Sequence, residues 1–481
     1  MRTRVAIVSF IFLLHFVIIV YPPTLVHAQS SPCTIPFQSL TPPLPDRTTS
    51  YSYYPDMRNT TSGPQLLSPG LYPNITNQEP LNHRQQGENI ANNQIAPLNA
   101  SGQPDQNGQI GIISIGMSNT NMVFAPFRDR ANASPVKNPR VTIINTAINS
   151  MVADDWNEPT DYPWTTIDQR LGTLNRNQVQ IAWIKITMAG PQNFPDHINY
   201  LHERLVEIVH TAKQLLPNLK IVVLSSRTRS YDINYPNTSQ HGLSSEPYAY
   251  EDAFAVRDFI GEQIQNPTGR LSLTSTPYLT WGPYLWIDGE NPRSDGRIWP
   301  GEDLIVDCTH PSQSGTQKAA AQLMAFFTTS PLTYPWFLKT STSPPPLTVT
   351  PSTTQGIAPV SIQFNANTTS SEVFWSFDDG TTQEGLEVHK TFNLPGIYTV
   401  TTTAIDPSGN WNRQETIITV QTNSCAFEQG DLNCNTKVES IDAGRLINYW
   451  GTSQEGADID HSGTVDGSDL KFLLSNYAQL R

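Results

Sequence analysis

The sequence predicts a modular chain: an α/β domain on a parallel sheet, then an all-strand segment, then a duplicated loop–helix unit. Three observations carry this. From about residue 109, short and almost continuously apolar runs alternate with amphipathic segments, the pattern of a parallel sheet covered on both faces. Between 347 and 421, apolar positions alternate with polar ones and the breaks are turn residues, as in strands with one buried face. From Asp431 onward, a set of oxygen-bearing side chains recurs at a constant offset of 27 residues.

The chain opens with Arg2 and Arg4, an apolar run from Val5 to Val20, and Val26-His27-Ala28. This is the form of a secretory signal peptide over 1–28, cleaved near Ala28. It predicts a secreted protein with no membrane partner after cleavage, because no later stretch is long and apolar enough to span a bilayer. The net charge of −13 over 481 residues argues against nucleic acid as a partner, since phosphate binding needs a basic surface. Four cysteines are too few for a disulfide scaffold. Cys425 and Cys434 are close enough to close a small loop in an oxidising compartment; Cys33 and Cys308 have no obvious partner.

Residues 29–108 are rich in Pro, Asn and Ser with little periodicity, and read as an extended leader that packs on the next domain. In the α/β domain, 109–335, strands are expected at 110–115, 141–145, 179–186, 221–224 and 304–306. Helices are expected at 201–216, 253–264 and 318–327, from apolar positions such as Leu201, Leu205, Ile208, Val209 and Ala212 on one face. Active sites in such sheets form at the carboxyl ends of strands. Ser118 follows the first strand, in Gly116-Met117-Ser118-Asn119, and Asp307-Cys308-Thr309-His310-Pro311-Ser312 follows the last. A carboxylate three residues before a histidine can orient the imidazole and fix its tautomer, and the histidine can then serve as base to a nucleophile. The bland alternatives are helix caps, Ser118 for one helix and Ser312 for the next. Cys308 is a poor nucleophile candidate because it sits between the proposed acid and base. Arg227, Arg229, Trp286, Asp288 and Arg293 lie in loops that could line a cleft, although each taken singly reads as ordinary surface.

These two blocks together resemble the SGNH (GDSL-like) hydrolases over about 109–330. The resemblance implies a three-layer α/β sandwich on a flavodoxin-like parallel sheet. It also implies ester hydrolysis with Ser118 as nucleophile, His310 as base and Asp307 orienting it. The position that usually carries Asp before the serine is Met117 here. Oxyanion donors would come from Ala147, in the place of a glycine after the second strand, and from Asn193, one residue late in a block with no following Asp.

A Pro- and Ser-rich linker at 336–346 leads into 347–421. There Trp375-Ser376-Phe377-Asp378-Asp379-Gly380, His389-Lys390-Thr391-Phe392 and Pro395-Gly396-Ile397-Tyr398 resemble a PKD domain, which implies an immunoglobulin-like β-sandwich. Such modules usually act as spacers or contact surfaces. Trp375 and Phe377 are expected in its core. In the terminal segment, 425–481, Asp431, Asn433, Asn435, Lys437 and Asp442 recur as Asp458, Asp460, Ser462, Thr464 and Asp469. Side-chain oxygens at loop positions one, three, five and twelve, with a backbone carbonyl at seven, suit Ca²⁺. Gly463 occupies the sharp turn of the second loop, where the first has Thr436. The unit resembles a type I dockerin, an all-α module implying two Ca²⁺ ions and a cohesin-type partner contacted near Ser440, Ile441, Gly467 and Ser468.

The expectation is a secreted, carbohydrate-associated serine esterase, with polysaccharide deacetylation as one outcome and a carbohydrate ester as substrate. The alternative is a non-catalytic extracellular protein that binds carbohydrate or a surface. A glycoside hydrolase would need a pair of carboxylates at strand ends, and none stands out.

Overall fold

The computed structural model describes residues 32–48, 51–52, 66–67, 69–74, 76–188, 194–232, 245–421, 430–432, 437–454 and 457–477. The expected signal peptide lies outside them, as do Asn193, Cys425, Cys434, Asn433 and Asn435. No helix among the described residues is long and apolar enough to cross a membrane.

Strands β1 (Ile110–Gly116), β2 (Val141–Ile144), β3 (Val179–Lys185), β4 (Ile221–Leu224) and β5 (Tyr278–Trp281) form one parallel sheet in the order β2-β1-β3-β4-β5. The helices are α1 (Leu81–Asn93), α2 (Ser118–Ala133), α3 (Asp196–Leu215), α4 (Tyr248–Gln265) and α5 (Gln313–Thr329). Successive strand residues face opposite sides of a sheet. Ile113, Ala182, Ile184, Val222 and Leu224 join Leu201, Leu205, Ile208 and Phe254 of α3 and α4 in one core. Ile112, Ile181, Trp183, Ile221 and Val223 join Phe124, Phe127, Leu323 and Phe327 of α2 and α5 in the other. Burial on both faces is why these strands are apolar without a break. The strand order reverses at β1, so a crevice opens at the carboxyl ends of β1 and β3.

Two expected elements differ. Residues 304–306 add no strand to the sheet. Leu304 bridges to Pro311 and Ile305 to Pro32, so this run is one side of a tight loop, too short to reach across the sheet. The fifth strand is Tyr278–Trp281, which sits between Pro277 and Gly282 and is only four residues long. The segment expected as leader contains α1. Its buried positions are His83, Gly87, Ile90 and Ala91, helical in spacing but half of them not apolar. Gly87 lies so close to the Tyr278 ring that a Cβ would overlap it.

The PKD-like segment forms β6 (Leu347–Pro351), β7 (Gln355–Ile357), β8 (Val360–Thr368), β9 (Glu372–Ser376), β10 (Thr382–Glu384), β11 (Glu387–Phe392), β12 (Gly396–Ile405) and β13 (Trp411–Gln421). They make two sheets, β11-β8-β6 and β10-β9-β12-β13-β7. Ile362, Phe364, Trp375, Phe377, Phe392 and Val400 fill the space between them. The sandwich does not stand clear of the α/β domain as a spacer would. Phe374 and Ile405, on its outer face, are part of the same core as Phe127 and Phe327. Trp336, Phe337 and Leu338, expected in the linker, are buried in that core too. Arg130 of α2 reaches Glu384 at 2.8 Å and lies 5.3 Å from the Phe374 ring centre. Thr403 donates to the carbonyl of Thr328 in α5 (3.1 Å). Burying a side chain of this size stabilises by about 2 kcal/mol, so Phe374 alone ties the two domains appreciably.

The terminal unit consists of α6 (Ser440–Asn448) and α7 (Gly467–Ser475) around Leu432, Val438, Leu446, Ala457, Ile459, Val465 and Leu473. Leu446 and Leu473 are buried, whereas Ile447, Trp450, Phe472 and Leu474 are exposed.

Two predictions follow from the seam between the α/β domain and the sandwich. A chain ending at Thr340 is expected to aggregate or melt well below the full chain, because Phe326, Trp336 and Phe337 lose their cover. One ending at Gln421 is expected to keep the α/β melting transition, and calorimetry of both checks this. In the turn after β9, Asp378 has φ 59° and its carboxylate lies 3.7 Å from Arg84. Burial, partly offset by Arg84, pushes its pKa up to about 7. The folded state therefore holds a proton that the unfolded chain releases between about pH 4 and 7. Stability from this group is full below the unfolded pKa and is lost as pH rises towards 7. Asp378→Asn, which tolerates the left-handed backbone, should flatten that dependence and raise the melting temperature at pH 7.

Candidate active site and calcium loops

β1 ends at Gly116, whose φ of 148° turns the chain sharply into α2. There is no room for a side chain, since a Cβ at Gly116 would meet the Lys185 carbonyl and Thr120. Met117 is the N-cap residue and Ser118 the first residue of α2, so the serine is not a cap. Its amide is one of those that no carbonyl of its own helix can accept. Ser312 is a cap, accepting from the Gly315 N–H at 3.4 Å at the start of α5.

The loop before α5 brings Asp307 and His310 to the serine. His310 Nδ1 donates to Asp307 Oδ2 (2.6 Å), and Nε2 accepts from Ser118 Oγ (2.7 Å). Asp307 Oδ1 accepts from the amides of Thr309 (3.0 Å) and His310 (2.9 Å). Burial by itself would raise the Asp307 carboxyl, but these two N–H donors and the imidazole outweigh it and hold it below its usual range. The aspartate therefore stays ionised at neutral pH and fixes the imidazole with its lone pair on the serine. Ser118 is partly exposed and the His310 side chain is 31 % exposed, so a solute can reach both.

The expected oxyanion donor Ala147 is held differently. The Ala147 amide donates to Ser114 Oγ (3.2 Å), as does that of Thr146 (3.1 Å). Ser114 in turn donates to Asn145 Oδ1 (2.7 Å). This hydroxyl gathers the loop after β2, so the Ala147 N–H is committed away from Ser118. The loop residues considered as cleft lining are interior: Arg227, Arg229, Trp286, Asp288 and Arg293 are all buried. Arg229 pairs with Asp288, and Arg293 with Asp295 at 2.6 Å; buried charges are retained when paired in this way. Arg227 lies 3.6 Å from the Met117 sulfur.

Sequence reasoning missed what holds the catalytic loop. Cys33 and Cys308 form a disulfide. Asn119 Nδ2 donates to the Thr309 carbonyl (3.3 Å), and Ser230 Oγ donates to that of Cys308 (3.0 Å). Nothing local in the chain marks Ser230. The two cysteines, 275 residues apart, carried a signal only in being left over.

In the terminal unit, the carboxylate oxygens of Asp458, Asp460 and Asp469 lie within 4.8 Å of one another. Amides of Ser462 and Gly463 wrap Asp458, at 2.9 and 2.7 Å. Gly463 has φ 93°, the turn expected at position six. Three convergent carboxylates are a hard-cation donor set and fit Ca²⁺; beside them Ser462 Oγ donates to the Thr464 carbonyl (3.1 Å). In the first loop, Asp431 and Asp442 are buried beside Val438, with Lys437 at the backbone position.

Comparison with known proteins agrees with the two smaller units. Residues 343–420 match the PKD domain family and 429–477 the dockerin type I domain family. Type I dockerin domains bind Ca²⁺ and cohesin modules, and both families are typical of extracellular proteins. No curated protein matches the chain. Among solved structures, a carbohydrate-binding module of the β-sandwich superfamily is 21% identical over 18% of this chain and 38% of its own, TM-score 0.17. The periplasmic domain of a Salmonella Paratyphi A lipopolysaccharide acetyltransferase is 13% identical over 50% of this chain and 94% of its own, TM-score 0.28. An extracellular lipase from Streptomyces rimosus is 13% identical over 45% and 99%, TM-score 0.25. Likeness this low carries no functional information.

Calcium is expected to order the terminal unit, since so small a core needs a metal's help. EDTA should abolish the helical signal of α6 and α7 and leave the larger melting transition in place. Asp458→Ala should lower the calcium stoichiometry measured by calorimetry by one.

Proposed function

We propose that the chain is a secreted, carbohydrate-associated serine esterase, tethered through its calcium-dependent dockerin to a cohesin-type partner. The observation that carries this is the continuous hydrogen-bonded line Asp307–His310–Ser118 at the sheet's switch point. In this reading Ser118 Oγ attacks the ester carbonyl carbon while His310 Nε2 takes its proton. Asp307 holds the imidazole in register and stabilises the imidazolium that forms. The first-turn amides of α2, at the positive end of the helix, face the developing oxyanion. His310 returns the proton to the departing alcohol. It then activates a water that cleaves the acyl-serine. Asn193 remains a proposed second oxyanion donor. The polysaccharide substrate, with an acetyl ester as the leading choice, rests on analogy with the dockerin rather than on the site's chemistry.

A non-catalytic binding role is the competing reading, and the committed amide of Ala147 favours it. One missing donor typically costs about 3 kcal/mol of transition-state stabilisation, which slows such a site without abolishing it.

The test is hydrolysis of a short-chain aryl acetate by the chain from Gln29 onward, in calcium, followed by a panel of acetylated polysaccharides. Ser118→Ala is expected to lose at least about 10⁴-fold in kcat and Asp307→Asn about as much, with the fold intact. Equal rates for wild type and Ser118→Ala on every ester would overturn the esterase reading.

A further inference from the structure

We propose that the Cys33–Cys308 disulfide is a positioning element for the triad, so that the esterase reaches full activity only after the bond has formed. The inference rests on the esterase reading above and adds a condition to it.

Cys308 sits between Asp307 and the Thr309-His310 pair, with φ 57°, a backbone state that non-glycine residues rarely hold unaided. Within the loop its amide donates to the Ile305 carbonyl (2.8 Å); its other partners come from outside. Its carbonyl accepts from the Tyr231 amide (2.9 Å) and from Ser230 Oγ (3.0 Å). Its sulfur is bonded to Cys33, with the two Cα atoms 4.8 Å apart. Cys33 in turn donates its amide to the Leu304 carbonyl (3.2 Å), so the N-terminal strap meets the catalytic loop at two points.

The strap is a fixed anchor. Ser39 Oγ and the Leu40 amide donate to Asp288, at 2.8 and 3.0 Å. The Arg229 guanidinium, which pairs with the same carboxylate, lies 5.1 Å from the Phe37 ring centre. Asp46 accepts from the Ser294 amide (2.8 Å). The disulfide thus transmits to Asp307 and His310 a position set by the strand ends of the sheet. Without it, only the hydrogen bonds at its amide and carbonyl hold Cys308 in the left-handed region, and Asp307 and His310 on either side lose part of their restraint.

The bond forms by thiol–disulfide exchange with an oxidant RSSR: the two cysteines give up two protons and two electrons, and RSSR departs as two RSH. In a compartment that supplies such disulfides the site is assembled; in a thiol-reducing one it is not.

The decisive variant is Cys33→Ser in the full chain with calcium, which leaves Cys425 and Cys434 untouched. Its kcat on a short aryl acetate is expected to fall about ten- to hundred-fold while KM stays within about two-fold, because the loss is one of alignment. Dithiothreitol should do the same to wild type, oxidised glutathione should restore it, and neither should bring Cys33→Ser up to the wild-type kcat. Ser230→Ala, which loosens the same carbonyl without touching the disulfide, should give a smaller fall in kcat. Amide hydrogen exchange over 304–312 is the readout independent of chemistry: it should quicken in Cys33→Ser while exchange in β1 and β3 does not. A folded Cys33→Ser with wild-type kcat would overturn the proposal. If wild type proves no more active than Ser118→Ala, the esterase reading fails by itself. Exchange then decides: faster exchange in the loop keeps the positioning role, and unchanged exchange removes it. Should Cys33→Ser not fold, the Ser230→Ala kcat and the reduced wild type's exchange decide in its place.

Discussion

The Ser118–His310 hydrogen bond joins side chains 192 positions apart, and everything near it serves to bring two separate chain segments within 2.7 Å of each other. One segment is fixed by the sheet: β1 is paired on both sides, by β2 and β3, Gly116 admits a turn that no side chain would allow, and α2 starts at the serine. The other is a surface loop with no strand of its own. A loop has little intrinsic rigidity, so its position is imposed by α5 behind it and by cross-links in front of it. An alignment error of about 1 Å is enough to cost such a relay about a hundred-fold in rate.

This explains why the sandwich is built onto the α/β domain rather than strung after it. α2 and α5 are the helices that begin beside Ser118 and His310, and they present their outer surfaces to the sandwich. Phe374 and Ile405 pack there, and Arg130 and Thr328 are bonded across the seam. A module of this family, commonly read as a spacer, here completes the core that holds the two helices together. The polar side of the seam bears the cost of that arrangement in Asp378, whose half-buried carboxyl is driven up to about 7.

The terminal unit is organised on the opposite principle. Among the described residues its own core is seven buried apolar side chains, and the carboxylates of its second loop face one another. Repulsion among Asp458, Asp460 and Asp469 opposes folding until a cation compensates them. The apolar side chains left outside on α6 and α7, Ile441, Ile447, Phe472 and Leu474 among them, are surplus to that core. They are consistent with a face kept for a partner, as the family's binding of cohesins requires. The Ser118–His310 pair and the terminal unit are therefore held by different means, the first by packing and the second by a donor set suited to a metal.

What the sequence made legible follows the same division. Periodic and repeated features were readable: the doubly apolar strands β1, β3 and β4, the alternation around Trp375, and the 27-residue repeat of the acidic loops. Asp307 and His310 were readable because their spacing of three is local. What was hidden depended on partners far away in the chain. β5 reads as loop because four residues between Pro277 and Gly282 give no period, and it is a strand only because β4 offers an edge. α1 reads as leader because its buried face includes His83 and Gly87, which become interior against residues far along the chain, Gln263, Tyr278 and Leu332. Arg229, Asp288 and Arg293 read as surface because charge is normally solvated, and the partners that permit their burial come from distant segments or folded turns. Ala147 stands where a donor was expected, yet Ser114, on the neighbouring strand, takes its N–H first. Local chemistry can thus be proposed from sequence, but whether a donor is free to act is decided by tertiary neighbours.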